Sequence, residues 1–143
     1  MELKNRNRVV LAFGSNLGDK EKNIELAIEL ININCGSVTQ ISPYYKSKAM
    51  GFDSENDFIN GCLLLQTDLP PLVLLGKLQQ IEKELGRIKN KDHYQDRTID
   101  LDIIFYESLC INLPELQIPH PRYQERPFVL EPLKTLHLDS FNF

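Results

Sequence analysis

Two apolar runs of strand character, each followed by helical spacing and then by another strand-like run, restrict the fold of this chain more than any other feature. Residues 9–13 are a short apolar stretch stopped by Gly14, as suits a buried strand. Ile24, Ala27, Ile28 and Ile31 then recur at helical spacing, with Lys20, Lys22, Glu25 and Glu29 on the outer side and Gly36 at the end. Residues 38–46 read as a second strand, 47–56 as an irregular polar loop and 58–67 as a third strand. Pro70-Pro71 opens a second helix that buries Leu74, Leu78, Ile81 and Leu85 and leaves Gln79, Glu82 and Lys83 on its other faces before Gly86. A fourth strand follows at 97–105. Strand–helix–strand twice over predicts an α+β chain: a ferredoxin-like βαββαβ core, an antiparallel sheet with helices on one face, and a short C-terminal extension. At 143 residues the chain is the size of one domain, 1–143, with enough length to bury a core.

The fourth strand carries the chemistry. In Arg97-Thr98-Ile99-Asp100-Leu101-Asp102-Ile103-Ile104-Phe105, side chains alternate faces, so Asp100 and Asp102 point the same way while Leu101 and Ile103 point into a core. Neighbouring carboxylates repel and lose solvation on burial. A hard divalent cation cancels that repulsion, and Mg²⁺ does so while holding substrate phosphates. Arg97 fits the same site, since a guanidinium clamps phosphate in a bidentate way. The plainer reading is an edge strand with acids on its solvent face and Arg97 as a counter-charge. Upstream, residues 87–97 carry Arg87, Lys89, Lys91, His93 and Arg97 against Asp92 and Asp96. A basic loop feeding a D-x-D strand is what a polyphosphate–Mg²⁺ site requires, and a solvated charge run is the alternative.

Three further places invite either a functional or a structural account. The turn Gly14-Ser15-Asn16-Leu17-Gly18-Asp19 offers backbone N–H groups to an anion or is an ordinary connection, and it is no Walker loop. Phe58 and Asn60 share a strand face, where one can stack on a flat heterocycle and the other read its edge, or both can belong to the core. Residues 109–118 read as a hairpin, and the segment 119–133 rigidifies His120 and Arg126 among prolines, against a nucleotide or as structural groups.

With 16 basic and 20 acidic residues and a net charge of −4, the chain lacks the positive footprint of a general nucleic-acid binder. Cys35, Cys62 and Cys110 form neither a disulfide framework nor a C-x-x-C zinc motif and fit a reducing compartment. No apolar run reaches membrane-spanning length and no signal core follows the basic start. The expectation is a soluble, cytoplasmic protein and a monomer, with no nucleic-acid or membrane partner.

Five motifs in order resemble the 6-hydroxymethyl-7,8-dihydropterin pyrophosphokinase family of folate biosynthesis. They are Gly14-Ser15-Asn16-Leu17-Gly18; Phe58-Ile59-Asn60; Glu82 with Gly86-Arg87; Arg97-Thr98-x-Asp100-Leu101-Asp102-Ile103; and Pro119-His120-Pro121-Arg122 with Arg126-x-Phe128-Val129-Leu130. The resemblance implies transfer of the β,γ-pyrophosphoryl group of ATP to the pterin hydroxymethyl oxygen, with release of AMP. It implies that Asp100 and Asp102 bind two Mg²⁺ ions, Asp100 also touching the pterin, and that Arg87 and Arg97 serve the transfer. Phe58 and Phe128 would sandwich the pterin, Asn60 with the backbone around Ser47, Lys48 and Met50 would read its edge, and Tyr94 would close over it. Gln79, Lys89, His93, Arg97, Ile103, His120 and Arg126 align with positions that hold ATP. The competing class is a non-catalytic ferredoxin-like module that binds a small ligand.

The chain also departs from the family pattern. Gln95-Asp96 stand where Gly-Pro is usual, Tyr94 where Trp is usual, and Lys89 and His93 where arginines are common. Lysine lacks the bidentate fork and histidine is only partly charged at neutral pH, so weaker ATP binding is expected. The short stretch after Leu133 is expected to leave no room for a fused second enzyme.

Overall fold

A computed structural model describes residues 7–47, 57–86 and 98–138. The elements run β1 (Asn7–Ser15), α1 (Lys20–Asn34), β2 (Ser37–Ile41), β3 (Tyr45–Ser47), β4 (Phe58–Thr67), α2 (Pro71–Glu84) and β5 (Asp100–Tyr106). A hairpin of β6 (Ile111–Asn112) and β7 (Gln117–Ile118), a 3-10 turn (Tyr123–Glu125) and α3 (Pro127–Lys134) complete them. The sheet order is β2-β4-β1-β5, with every neighbouring pair antiparallel and β3 continuing alongside β4. This is the ferredoxin-like arrangement: two split βαβ units, β1 and β4 central, β5 at an edge. No helix among the described residues is long and apolar enough to cross a membrane.

Alternation along β1 sorts the molecule into two layers. Val9, Leu11 and Phe13 join Ile24, Ala27 and Ile31 of α1, Leu74, Leu78 and Ile81 of α2, and Leu101 and Ile103 of β5 in one buried cluster. Each of the valine, leucine, isoleucine and phenylalanine side chains contributes about 1.5–3 kcal/mol on full burial. Val10 and Ala12 face the other way, with Cys62, Leu64, Ile104, Phe105, Val129 and Leu133. A bulge opposite Val10 and Leu11 inserts Ile104 into β5, which turns Ile104 and Phe105 to the same side and returns Tyr106 to the first cluster.

Three differences from the sequence reading have local causes. The extended run 38–46 is two strands, β2 and β3, because the chain bends at Ser42-Pro43-Tyr44. Pro43 has no N–H to give a ladder, and the bend is closed by Ser42, whose N–H donates to the Cys62 carbonyl and whose Oγ accepts from the Cys62 N–H. The C-terminal extension contains α3, which covers the sheet face opposite α1 and α2. Pro127 at its first turn and Pro132 within it mask the helical period in the sequence. Glu82, assigned to an outer face, is buried at 4% exposure, where its carboxylate accepts the Leu101 N–H.

Candidate active site

The sheet face carrying α3 is only partly covered, and the uncovered part is an open cleft of about 320 Å³. Its lining is Ala12, Phe13 and Gly14 of β1, Asn60 of β4, Asp100 and Asp102 of β5, and Arg126, Phe128 and Val129 at the start of α3. That volume is at the lower end of the range for small-molecule sites. Cross-strand register assembles the floor. Asp100 pairs with Gly14, Asp102 with Ala12, and Asn60 also pairs with Gly14 from the other side. The pleat therefore places both carboxylates and the amide on one face, the aspartates roughly 6–7 Å apart along the strand.

Gly14 makes the floor possible. A Cβ there would meet Asn60 Oδ1 at 2.6 Å and Phe58 Cδ1 at 3.6 Å, so the missing side chain is the space the Asn60 amide occupies. Asn60 Nδ2 donates to Ser47 Oγ at 2.8 Å, which fixes the amide plane. The sequence offers Gly14 as the end of a strand, as a turn residue and as part of a motif. Its pairing with Asn60 emerges from strand register, which is not written in the motif.

The wall is held by the proline-rich segment. The His120 N–H donates to the Ile104 carbonyl at 2.9 Å, and the Arg122 N–H donates to His120 Nδ1 at 3.2 Å. Tyr123 packs edge-on against Phe105, ring centroids 5.0 Å apart. Arg126 then precedes Pro127, and its guanidinium lies 5.8 Å from the Phe128 ring centroid. Burial, reinforced by the positive charges of Arg126 and Arg122, lowers the His120 pKa below its ordinary value. With Nδ1 accepting from backbone, the neutral ring carries its proton on Nε2, ready to donate. On the same sheet face, under α3, the Cys62 thiol is pushed up to about 12 by burial, which keeps it protonated and inert.

The described residues thus bring together Asp100, Asp102, Asn60, Phe128 and Arg126, with Phe58 beside Gly14 and Ser47 behind Asn60. Gln79 is exposed on α2 and Ile103 is in the apolar cluster, so neither side chain lines the cleft. Lys48, Met50, Arg87, Lys89, His93, Tyr94 and Arg97 lie outside the described residues.

No group of three or more His, Cys, Asp or Glu side chains suited to a metal occurs among the described residues. Two carboxylates in an open cleft suit an ion such as Mg²⁺, which keeps several waters and is commonly shared with substrate phosphates. The residues present fit such an ion.

Residues 10–138 match the family model of the 7,8-dihydro-6-hydroxymethylpterin-pyrophosphokinases. The chain belongs to this family. A Porphyromonas gingivalis 2-amino-4-hydroxy-6-hydroxymethyldihydropteridine pyrophosphokinase is 38% identical over 128 residues, 87% of this chain and 87% of that protein. The Bacillus subtilis protein of the same name is 38% identical over 89% of this chain and 76% of its own length. The Pneumocystis carinii folic acid synthesis protein fol1 is 49% identical over 125 residues, but the chain spans only 17% of it. Among solved structures, an HPPK-DHPS protein in complex with substrates superposes with a TM-score of 0.66 at 16% identity, over 89% of this chain and 39% of that one. A Plasmodium falciparum HPPK-DHPS triple mutant gives the same TM-score and identity over 40% of its length. At that identity the likeness speaks for the fold, and the ferredoxin-like reading holds.

Proposed function

We propose that the chain transfers the pyrophosphoryl group of ATP to the hydroxymethyl group of 6-hydroxymethyl-7,8-dihydropterin, releasing AMP, as a step in folate biosynthesis. The observation that carries this reading is one cleft in which a carboxylate pair, an arginine, a fixed amide and an aromatic ring converge, on a chain of this family. A non-catalytic binding module of the same fold has no use for paired acids beside a guanidinium.

In this reading the O–P bond to the pterin forms as the bond to the α-phosphate oxygen breaks, and AMP leaves with that oxygen. The hydroxyl proton departs to solvent through the open mouth of the cleft. Asp100 and Asp102 would hold two Mg²⁺ ions, which when bound neutralise and orient the triphosphate. Arg126 and the Nε2–H of His120 bind phosphate or ribose oxygens of ATP. Phe128 and Phe58 stack on the pterin while Asn60, held by Ser47, reads its edge, and Asp100 would serve both the metal and the pterin. Arg87 and Arg97 add charge to the transferring group; Gln79, Lys89, His93 and the backbone of Ile103 serve ATP; Lys48, Met50 and Tyr94 serve the pterin. Most of the work is positioning and charge neutralisation, as phosphoryl-type transfer demands. The unit is a single domain over 1–143, acting as a monomer in the cytoplasm; its length suits one domain and its three widely spaced cysteines suit a reducing compartment.

Incubation with ATP, Mg²⁺ and the reduced pterin should give AMP in proportion to pterin consumed. Absence of AMP, or AMP formed equally well without pterin, would overturn the assignment. Nucleotide affinity should tighten in the double variant Lys89→Arg, His93→Arg, and an unchanged affinity would remove the case for weak ATP binding.

A further inference from the structure

Glu82 is the charged side chain among the buried polar residues of the described chain, and the reaction above gives it no role. It sits in the last turn of α2, on the opposite side of β5 from the cleft, and its Oε2 accepts the Leu101 N–H at 2.8 Å. Leu101 lies between Asp100 and Asp102. β5 is an edge strand, paired with β1 among the described strands, where Asp100 and Asp102 register with Gly14 and Ala12. The alternate N–H at Leu101 therefore points away from the ladder, where no described strand receives it. Glu82 supplies the missing acceptor at that one residue.

The other side of Asp102 is also fastened. The Ile104 carbonyl, at the bulge, accepts the His120 N–H at 2.9 Å. Asp102 is thus bracketed by two side attachments of an otherwise half-paired strand. The orientation of the Asp100–Leu101 peptide decides how far the two aspartate side chains diverge. A side-chain acceptor of the right length fixes that peptide where the sheet itself gives it no partner on this edge among the described strands.

We propose that Glu82 is a positioning residue: from behind the sheet, its hydrogen bond to the Leu101 N–H holds Asp100 and Asp102 at the spacing that accepts a divalent cation arriving with the triphosphate. The inference rests on the reading of those aspartates given above. Outer partners of metal-binding groups are known to tune affinity without touching the ion.

Two variants separate the hydrogen bond from burial and charge. Glu82→Gln keeps an acceptor of the same reach and removes the charge. Glu82→Asp keeps the charge but is one methylene too short. The readouts are Mn²⁺ affinity in the presence of a non-hydrolysable ATP analogue, pterin affinity, and Tm. We expect Glu82→Asp to weaken Mn²⁺ binding by about tenfold or more, the scale seen when outer partners of metal ligands are lost. Pterin affinity should fall less than Mn²⁺ affinity in Glu82→Asp, because Phe58, Phe128 and Asn60 carry most of the pterin contact, and Glu82→Gln should retain most of the affinity for both. A Glu82→Asp protein that binds Mn²⁺ as wild type overturns the proposal. So does equal loss of pterin and metal binding, which would make Glu82 general support, or a Glu82→Gln protein as impaired as Glu82→Asp. Wild-type protein that binds Mn²⁺–nucleotide yet forms no AMP would defeat the proposed reaction alone, with the affinities still deciding the role of Glu82.

Discussion

Leu101 and Asp102 are chain neighbours on β5, yet they belong to regions built on different physical terms. On the α1/α2 side the sheet is sealed: Leu11, Leu63, Leu65, Leu74 and Leu101 interlock with little or no exposure. On the α3 side apolar cover stops at Val129 and Leu133, and beyond it the same strands present Asn60, Asp100 and Asp102 to a cleft. A closed layer stores the free energy of folding, and the open one can then carry groups that folding alone would reject. One strand with period two serves both, so single substitutions along it should separate stability from activity.

The largest separation is expected within β5. Asp102→Ala should lower AMP formation on the order of 10³-fold, the scale of removing one charge-neutralising group from a phosphoryl-transfer site. Its Tm should stay close to wild type, because the side chain is exposed. Leu101→Ala, one residue away, should cost about 2–5 kcal/mol in urea denaturation as a core cavity. Activity per folded molecule should survive in that protein at low temperature. If Asp102→Ala unfolded the chain or left turnover intact, the division between the two faces would not describe this molecule.

A glycine pair gives a narrower version of the same contrast. An added Cβ at Gly61 would run into the Phe13 ring, which is buried, whereas one at Gly14 would run into the Asn60 amide in the cleft. Gly61→Ala should therefore lower Tm, while Gly14→Ala should weaken pterin binding by about tenfold, some 1.4 kcal/mol, with Mn²⁺–nucleotide affinity retained. Isothermal titration with each ligand reads the second effect, and equal losses for both ligands would tie Gly14 to the whole floor.

Much of this is legible in the sequence. Ile24, Ala27 and Ile31 announce α1, and the alternation through Phe58, Asn60, Cys62 and Leu64 announces the face of β4, because burial imposes its own period on a regular element. The placement of Asp100 and Asp102 on one face, with Leu101 and Ile103 on the other, follows from the same rule. What the sequence did not reveal depends on register and long-range contact. Glu82 stands in a motif, but its burial and its bond appear only when β5 is laid beside α2 with the Leu101 N–H turned outward. Likewise α3 is hidden by its prolines, and Gly14 gains meaning only opposite Asn60.

The smallest expected effect concerns how the open face is stitched by polar bonds where the closed face is packed. Burial and the charges of Arg126 and Arg122 hold the His120 pKa below the ordinary 6.5. As pH falls below 6.5 the unfolded chain takes up a proton at this site before the folded chain does, so protonation favours unfolding. The stability His120 contributes is therefore complete above 6.5 and is lost as pH falls through the depressed folded value. The structural reason is visible: a protonated Nδ1 would direct a hydrogen at the Arg122 N–H, which now donates to it, and would add charge beside two arginines. His120→Asn keeps a side-chain acceptor within reach of that N–H and does not titrate. Urea denaturation of both proteins at about pH 7.5 and about pH 5.5 should show a smaller acid-induced loss in the variant. Since the ring is half-buried, solvent screening keeps the difference small. An equal acid loss in both would place the pH sensitivity elsewhere and leave the wall of the cleft held by Tyr123 and the start of α3 rather than by the imidazole.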